Sequence, residues 1–319
     1  MTQKTIPAAR TAEEQRVHIG TIYGFLTYAM WGVLPIYFHA LAPASSWEIL
    51  AHRIVWSFLL TLVVWRWKRD LSWLRALVRN PRRMALLALA ALFLAINWGV
   101  FIYAVTIDNV VESSLGYFIN PLFLVLMGVL LLGERMSRLQ WIALGFGTLA
   151  VGVITLDYGR PPWIALSLAT SFATYGYIKK QLGAHIGALE SMTVETVVLT
   201  PFAIGGIIWI EMSGRGTFLT EGPSHALLIM VSGVATAVPL ILFAAAASRI
   251  PLTTMGLLQY IAPVGQFTVG VLVLGEVVPG PRWIGFGLVW IGLAVLTVDM
   301  FRRGQRNRRT RRDLARANA

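Results

Sequence analysis

Long apolar stretches separated by short polar ones set the plan of this chain. They cover approximately residues 19–41, 47–67, 84–107, 111–132, 139–156, 162–180, 190–211, 225–248, 253–275 and 281–301. A helix needs about 20 apolar residues to cross a hydrocarbon core of about 30 Å. The pattern therefore predicts an all-α membrane protein with ten transmembrane helices. Several connections are short, which makes consecutive spans antiparallel neighbours.

One stretch occurs twice. Pro121 to Asp157 and Pro263 to Asp299 align without a gap at an offset of 142 residues. The alignment pairs Pro121 with Pro263, Gly128 with Gly270, Gly133-Glu134 with Gly275-Glu276, Trp141 with Trp283, Gly145 with Gly287 and Asp157 with Asp299. Generic apolar helices share Leu and Val by chance, but they do not keep Pro, Gly, Trp and a charged step in register. Duplication explains the register. The chain is thus expected to divide into an amino tail (1–18), a first five-helix repeat (19–157), a second (158–301) and a basic tail (302–319).

Composition agrees with a membrane protein. Hydrophobic residues make up 56% and charged residues 13%, whereas about a quarter of a soluble domain is charged. The absence of Cys excludes disulfides, thiolate metal sites and a Cys nucleophile. The net charge of +12 matters by its location, because Lys and Arg flank membrane spans on the cytoplasmic side. In the ten-span arrangement 23 of the 27 basic residues fall on one side. The other side keeps Arg160, Arg215 and Arg282, and Arg53 lies inside the second span. Both termini are then cytoplasmic. Five spans per half, an odd number, makes the second repeat inverted relative to the first, an architecture that places a site near the membrane midplane. No cleavable signal is expected, because the first 18 residues are polar and the first apolar stretch is long enough to span. The basic carboxyl tail suits anionic lipid headgroups rather than nucleic acid.

Polar residues inside the spans are the candidate substrate pathway. Glu48, His52 and Arg53 share the second span. Glu48 and His52 lie one turn apart, but no third or fourth metal ligand accompanies them, so no metal is expected. Arg53 has two readings: a side chain snorkelling to the surface, or a cavity charge that orients solute. In the second, Glu48 one turn outward can offset it. Glu195 occupies the 142-offset position of Arg53, and inversion puts the two at mirror depths rather than in contact. Asn97, Tyr117 and Asn120 are polar groups nearer the midplane, each able to serve a site or a helix contact. Gln259 and Tyr260 precede Pro263 as Asn120 precedes Pro121. Each proline removes a backbone donor, so Pro121 and Pro263 are expected as hinges beside the pathway. Tyr28, Trp31 and Tyr175 are mid-span aromatics that can form cavity walls. Glu134 and Glu276 suit loop capping, and the glycine spacings 128/133 and 145/152 suggest close helix packing.

The segments EILAHRIVWS, INWGVFIYAV, SLGYFINPL, LLLGER, WIALSLATSFATYGYIKK, VETVVLTP and LQYIAPV run in order through both halves. They resemble the RarD branch of the EamA-type permeases, in the drug/metabolite transporter superfamily. The resemblance implies a multi-pass permease of the bacterial inner membrane built from two EamA repeats. It points to a secondary transporter that moves a small metabolite or drug-like solute by alternating access, with export favoured over import by analogy. No ATP-binding loop and no cofactor are expected, and the chain is not expected to be an enzyme. The alternatives are a membrane scaffold or receptor without transport, or an intramembrane enzyme. A homodimer is compatible with the sequence. The topology is tested with fusions: reporters after Arg83 and after Arg303 should be cytoplasmic and one near Asp108 periplasmic. Opposite sides for the first two would remove the inverted arrangement.

Overall fold

A computed structural model describes residues 6–68, 72–132, 136–182, 186–250 and 252–317. The described residues are helical, with no strand among them. Helices α1 (Ile6–His39), α2 (Ser46–Lys68), α4 (Pro81–Thr106), α5 (Val110–Leu132) and α6 (Arg138–Tyr158) supply the first five apolar stretches, with a short α3 (Ser72–Val78) between α2 and α4. Helices α7 (Trp163–Leu182) and α8 (Ala188–Met212) follow. The eighth stretch is split into α9 (Pro223–Met230) and α10 (Ser232–Ala247). The ninth is split into α11 (Leu252–Leu258) and α12 (Ile261–Thr268), and α12 runs on as a π-helical turn, Val269–Val273. Last comes α13 (Gly280–Ala317), so the helix of the tenth stretch continues into the basic tail.

Local chemistry explains the ends. Asn80 caps α4 by accepting from Arg83 N at 3.1 Å, with Pro81 in the first turn. Ser137 and Gln140 form a reciprocal capping box at α6, with bonds of 3.1 and 2.9 Å. Gly159 ends α6 at φ 64°, a left-handed conformation that glycine adopts without a Cβ penalty.

Nine helices among the described residues are long and apolar enough to cross a membrane. The sixth apolar stretch, α7, does not belong to that set. Its 20 residues, WIALSLATSFATYGYIKKQL, are diluted by Ser, Thr, Tyr and Lys. The reason is position: α7 packs along both α4 and α5, and Ile164, Ala165, Leu168, Ala169 and Ala173 are sealed in the interior. A helix enclosed by other helices does not need a lipid-compatible surface. Exposed apolar side chains occur instead on other helices, at Leu130, Leu156, Phe202 and Leu272.

Pairing follows a regular exchange. α1 packs on α10 and α12, while α7 packs on α4 and α5. α2 packs on α8, α5 on α12, and α6 on α13. Small residues permit the closest approaches. At the α1–α12 crossing, a Cβ on Gly265 would stand 2.9 Å from the Cα of Gly32. At the α5–α7 crossing, a Cβ on Gly116 would meet the Ala165 carbonyl at 2.7 Å. The spacing 145/152 does not behave as expected: a Cβ at Gly145 or Gly152 would meet nothing within 4 Å. The contact face of α6 lies instead through Ala143, Gly147, Ala150 and Ile154, which are buried. Gly133 of the other spacing lies outside the described residues.

The proline corners differ from each other. α5 continues through Pro121, held among the buried Phe118, Ile119 and Leu122. The helical path is interrupted at Gln259-Tyr260, ahead of Pro263, where the turn is closed by Gln259 N to Met255 O at 3.0 Å and Tyr260 N to Leu257 O at 3.3 Å. Surrounding packing keeps α5 helical, whereas Gln259 and Tyr260 are only half-buried.

The glycine crossings give a direct test. Gly116→Ala should destabilise by about 1–3 kcal/mol, the usual cost of overpacking against backbone. Gly145→Ala should be neutral or slightly stabilising. Thermal unfolding of both variants in the same detergent checks the contrast.

Candidate functional site

The candidate site begins with Arg53. It lies seven residues into α2 and is buried. Its guanidinium carbon stands 4.2 Å from the ring centroid of Trp98 and 5.3 Å from that of Phe38. Such placement over aromatic faces stabilises a cation in a dry setting. Nε donates to Thr236 Oγ1 at 2.7 Å, and the Thr236 hydroxyl in turn donates to the Ser232 carbonyl at 2.8 Å, which turns a lone pair towards the guanidinium. Nη1 is buried without a hydrogen-bond partner. No carboxylate of the described residues lies within ion-pair distance of Arg53.

Asn97 fixes the neighbouring wall. Its amide nitrogen donates to the Leu168 carbonyl at 3.1 Å and Ser171 Oγ at 3.2 Å, while its oxygen accepts from the Tyr117 hydroxyl at 3.0 Å. Asn120, three residues beyond Tyr117 on α5, keeps a buried Oδ1 with no partner. A donor at Arg53 and an acceptor at Asn120 are thus left open in an interior where polar groups are normally satisfied.

Aromatic rings lead away from this cluster. Phe38 touches Phe101 (centroids 6.0 Å apart), Phe101 touches Tyr117 (5.8 Å), Tyr117 touches Phe172 (6.1 Å) and Phe172 touches Tyr175 (6.0 Å). The Tyr175 hydroxyl reaches Glu195 Oε2 at 3.4 Å. Glu195 is paired not with Arg53 but with Lys179, at 3.1 Å, and accepts from Ser191 Oγ at 2.7 Å. Lys179 also donates to Ser191 Oγ.

The remaining sequence candidates sit elsewhere. Glu48 is buried beside Arg53 in sequence but does not offset its charge. Its Oε1 accepts from Thr217 N at 2.7 Å and Phe218 N at 2.9 Å, so the carboxylate holds the connection after α8. His52 stacks on Phe218 with centroids 4.4 Å apart, and its Nδ1 accepts from Trp56 Nε1 at 3.3 Å. No group of three metal-ligating side chains occurs among the described residues. Tyr28 and Trp31 form a separate aromatic group with Phe243. Gln259 and Tyr260 mark the break between α11 and α12.

Carboxylate clamps recur at the end of the bundle away from the two chain termini. Glu276, after the left-handed Gly275 (φ 73°), accepts from Val110 N at 2.6 Å and Val111 N at 2.9 Å, which caps α5 from the other half of the chain. Burial pushes its carboxyl above the ordinary value, and the two backbone donors act against that shift. Glu112 accepts from Ile164 N at 3.0 Å and pairs with Arg160 at 3.3 Å, and Asp157 pairs with Arg282 at 2.7 Å. Glu134, the other residue expected to cap a loop, lies outside the described residues.

The chain as a whole is similar to known proteins. The sequence profile of the EamA-like transporter family matches over residues 18–156 and again over 162–298. The chain belongs to the EamA-like transporter family, in its RarD branch. A protein named RarD from Streptomyces exfoliatus is 50% identical over 303 residues, covering 94% of each chain. RarD of Escherichia coli K12 is 36% identical, over 88% of this chain and 94% of its own. A Bacillus subtilis relative, the uncharacterized transporter YojE, is 38% identical over 87% of this chain and 93% of its own. A solved crystal structure with 18% identity covers 89% of this chain and 98% of its own at a TM-score of 0.57, a likeness of fold. This EamA-family chain is therefore a multi-pass membrane transporter.

Sequence reasoning did not assign Trp98, Phe38, Thr236 or Lys179 to the site. A signal existed for the last: Tyr175 and Lys179, and Ser191 and Glu195, are each four residues apart and share a helix face. Phe38, Trp98 and Thr236 come from three different helices and have no local signature.

The clamp at Glu48 yields a second test. Glu48→Ala in this RarD-branch transporter should cost about 1–3 kcal/mol, because the buried amide of Thr217 and the half-buried amide of Phe218 lose their acceptor. Glu48→Gln, which keeps an acceptor oxygen, should cost less. The midpoint of thermal unfolding and the protease sensitivity of the 213–222 connection report both.

Proposed function

We propose that this chain is a secondary transporter of a small solute with ten spans, arranged as two inverted five-helix repeats around an alternating-access pathway. The exchange of partners supports the repeat: α1 meets α10 and α12 as α7 meets α4 and α5, the relation expected when two halves are interchanged by a two-fold axis. α7 counts as the tenth span because its burial excuses its polar composition. Both tails lie in the cytoplasm of a bacterial cell, at the inner membrane, with the clamped end facing outward. The basic tail meets anionic headgroups. Export is the favoured direction by analogy with the family.

One observation carries the solute site: a buried guanidinium, steadied by Trp98 and Phe38, with Nη1 unbonded. An ion at that depth is costly unless it serves a wet or ligand-bearing interior. Arg53 therefore contacts an anionic group of the solute, with Asn97, Tyr117 and Asn120 shaping the site beside it. Glu195 and Tyr175 lie on the inward half of the same route. Pro121 and Pro263 flank it as the candidate hinges.

Arg53 variants test this reading. Arg53→Ala should reduce solute flux at least about tenfold, equivalent to losing about 1.4 kcal/mol of binding. Arg53→Lys keeps the charge but loses the planar fork and should retain weak transport. Metabolite efflux and uptake profiles of a deletion strain carrying each variant give the readout, with membrane insertion measured in parallel. Normal transport by an inserted Arg53→Ala protein would remove Arg53 from the site.

A further inference from the structure

We propose that Lys179 is a second anion-binding station, at which the anionic group of the solute takes the place of the Glu195 carboxylate. The inference rests on the reading of Arg53 as the first station. It names the solute class as an organic monoanion with an apolar or aromatic body.

The two side chains of the Lys179–Glu195 pair differ in access: Lys179 is 29% exposed and Glu195 only 3%. Lys179 is therefore the more accessible partner of the pair. Glu195 also has neutral donors that do not depend on Lys179, namely Ser191 Oγ at 2.7 Å and the Tyr175 hydroxyl at 3.4 Å. A buried carboxylate stripped of its cation is normally left with an uncompensated charge. Here it keeps two hydrogen bonds, so the pair can be parted. The ammonium likewise keeps the Ser191 hydroxyl and the face of Tyr175, whose ring centroid is 5.4 Å away.

The second element is the connection to Arg53. Tyr175 touches Phe172 and Phe172 touches Tyr117, with centroids 6.0 and 6.1 Å apart. Tyr117 bonds Asn97 and touches Phe101, which touches the Phe38 ring that lies against Arg53. Aromatic surface thus joins the two cations, and Glu195 is the carboxylate at its far end. An anion with an apolar body is attracted to both ends and tolerated by the walls between them. A cationic solute meets Arg53 and Lys179 with like charge. Glu195 then acts as a stand-in ligand: it occupies Lys179 while the station is empty and yields it on arrival.

The test uses the purified full chain and three probes of one size: benzoate, benzamide and benzylamine. Equilibrium binding by ligand-observed NMR should detect benzoate and neither of the others. Glu195→Gln keeps the side-chain shape and an acceptor for Ser191 but removes the competing charge. It should tighten benzoate binding roughly five- to tenfold, and adding Lys179→Gln should abolish the gain. Ser191→Ala gives an independent variant. It makes Glu195 more dependent on Lys179 and should weaken benzoate binding. Benzoate affinity unchanged or lowered in a folded Glu195→Gln protein overturns the second station, as does a Ser191→Ala protein that binds like the parent. Arg53→Gln separates the two readings. If it abolishes benzoate binding while Glu195→Gln brings no gain, the first station stands and the second falls. If it leaves binding intact while the Glu195→Gln gain persists, the second station stands and Arg53 is not the first.

Discussion

Polar groups withdrawn from water must find partners inside the protein, and the rest of this structure follows from that demand. At the end of the bundle away from the tails, carboxylates supply the partners. Glu48 holds the amides of Thr217 and Phe218, Glu276 those of Val110 and Val111, and Glu112 that of Ile164. Each clamp joins segments far apart in sequence and completes a helix start or turn that water would otherwise serve. They tie the two halves together at one end. Nη1 of Arg53 and Oδ1 of Asn120 are among the buried polar atoms that keep no hydrogen-bond partner, as is the second carboxylate oxygen of Glu48.

Close packing brings the two halves together. Gly32 against Gly265, and Gly116 against Ala165, let α1 and α7 approach the helices of the opposite half. Association in lipid lacks the hydrophobic drive of water and relies on such close contact. Because α1 and α7 are each wedged between helices of the other half, their inner faces set aromatic rings beside small and aliphatic residues such as Ala165, Leu168 and Ala169. Phe38 and Tyr37 come from α1, and Phe172 and Tyr175 from α7. The aromatic route between Arg53 and Glu195 is thus a consequence of how the two halves interlock.

The same interlocking explains where depth arguments succeed and where they end. Helical rise puts Arg53 seven residues from the start of α2 and Glu195 seven residues from the start of α8, about 10 Å from opposite ends of the bundle. The structure gives the two residues different partners, Thr236 for Arg53 and Lys179 for Glu195. Which partners they have is a matter of rotation about each helix axis and of the helices brought alongside. Glu48 illustrates the limit: it lies close to Arg53 in sequence, yet its carboxylate is taken by backbone in the connection after α8.

The amino-acid order determined the helical, membrane-spanning class and the family, because each rests on local hydropathy or repeated motifs. It also marked Asn97, Tyr117, Tyr175, Arg53 and Glu195 as polar or aromatic groups in apolar surroundings. Tertiary structure alone decided that Trp98 and Phe38 flank the guanidinium, that Thr236 bonds it, and that Lys179 rather than Arg53 answers Glu195. It also decided that Gly116 and Gly265 lie in tight crossings while Gly145 and Gly152 face open space. These choices depend on which face of each helix meets which neighbour. Near-uniform apolar sequence leaves that rotation undetermined until all the helices pack together.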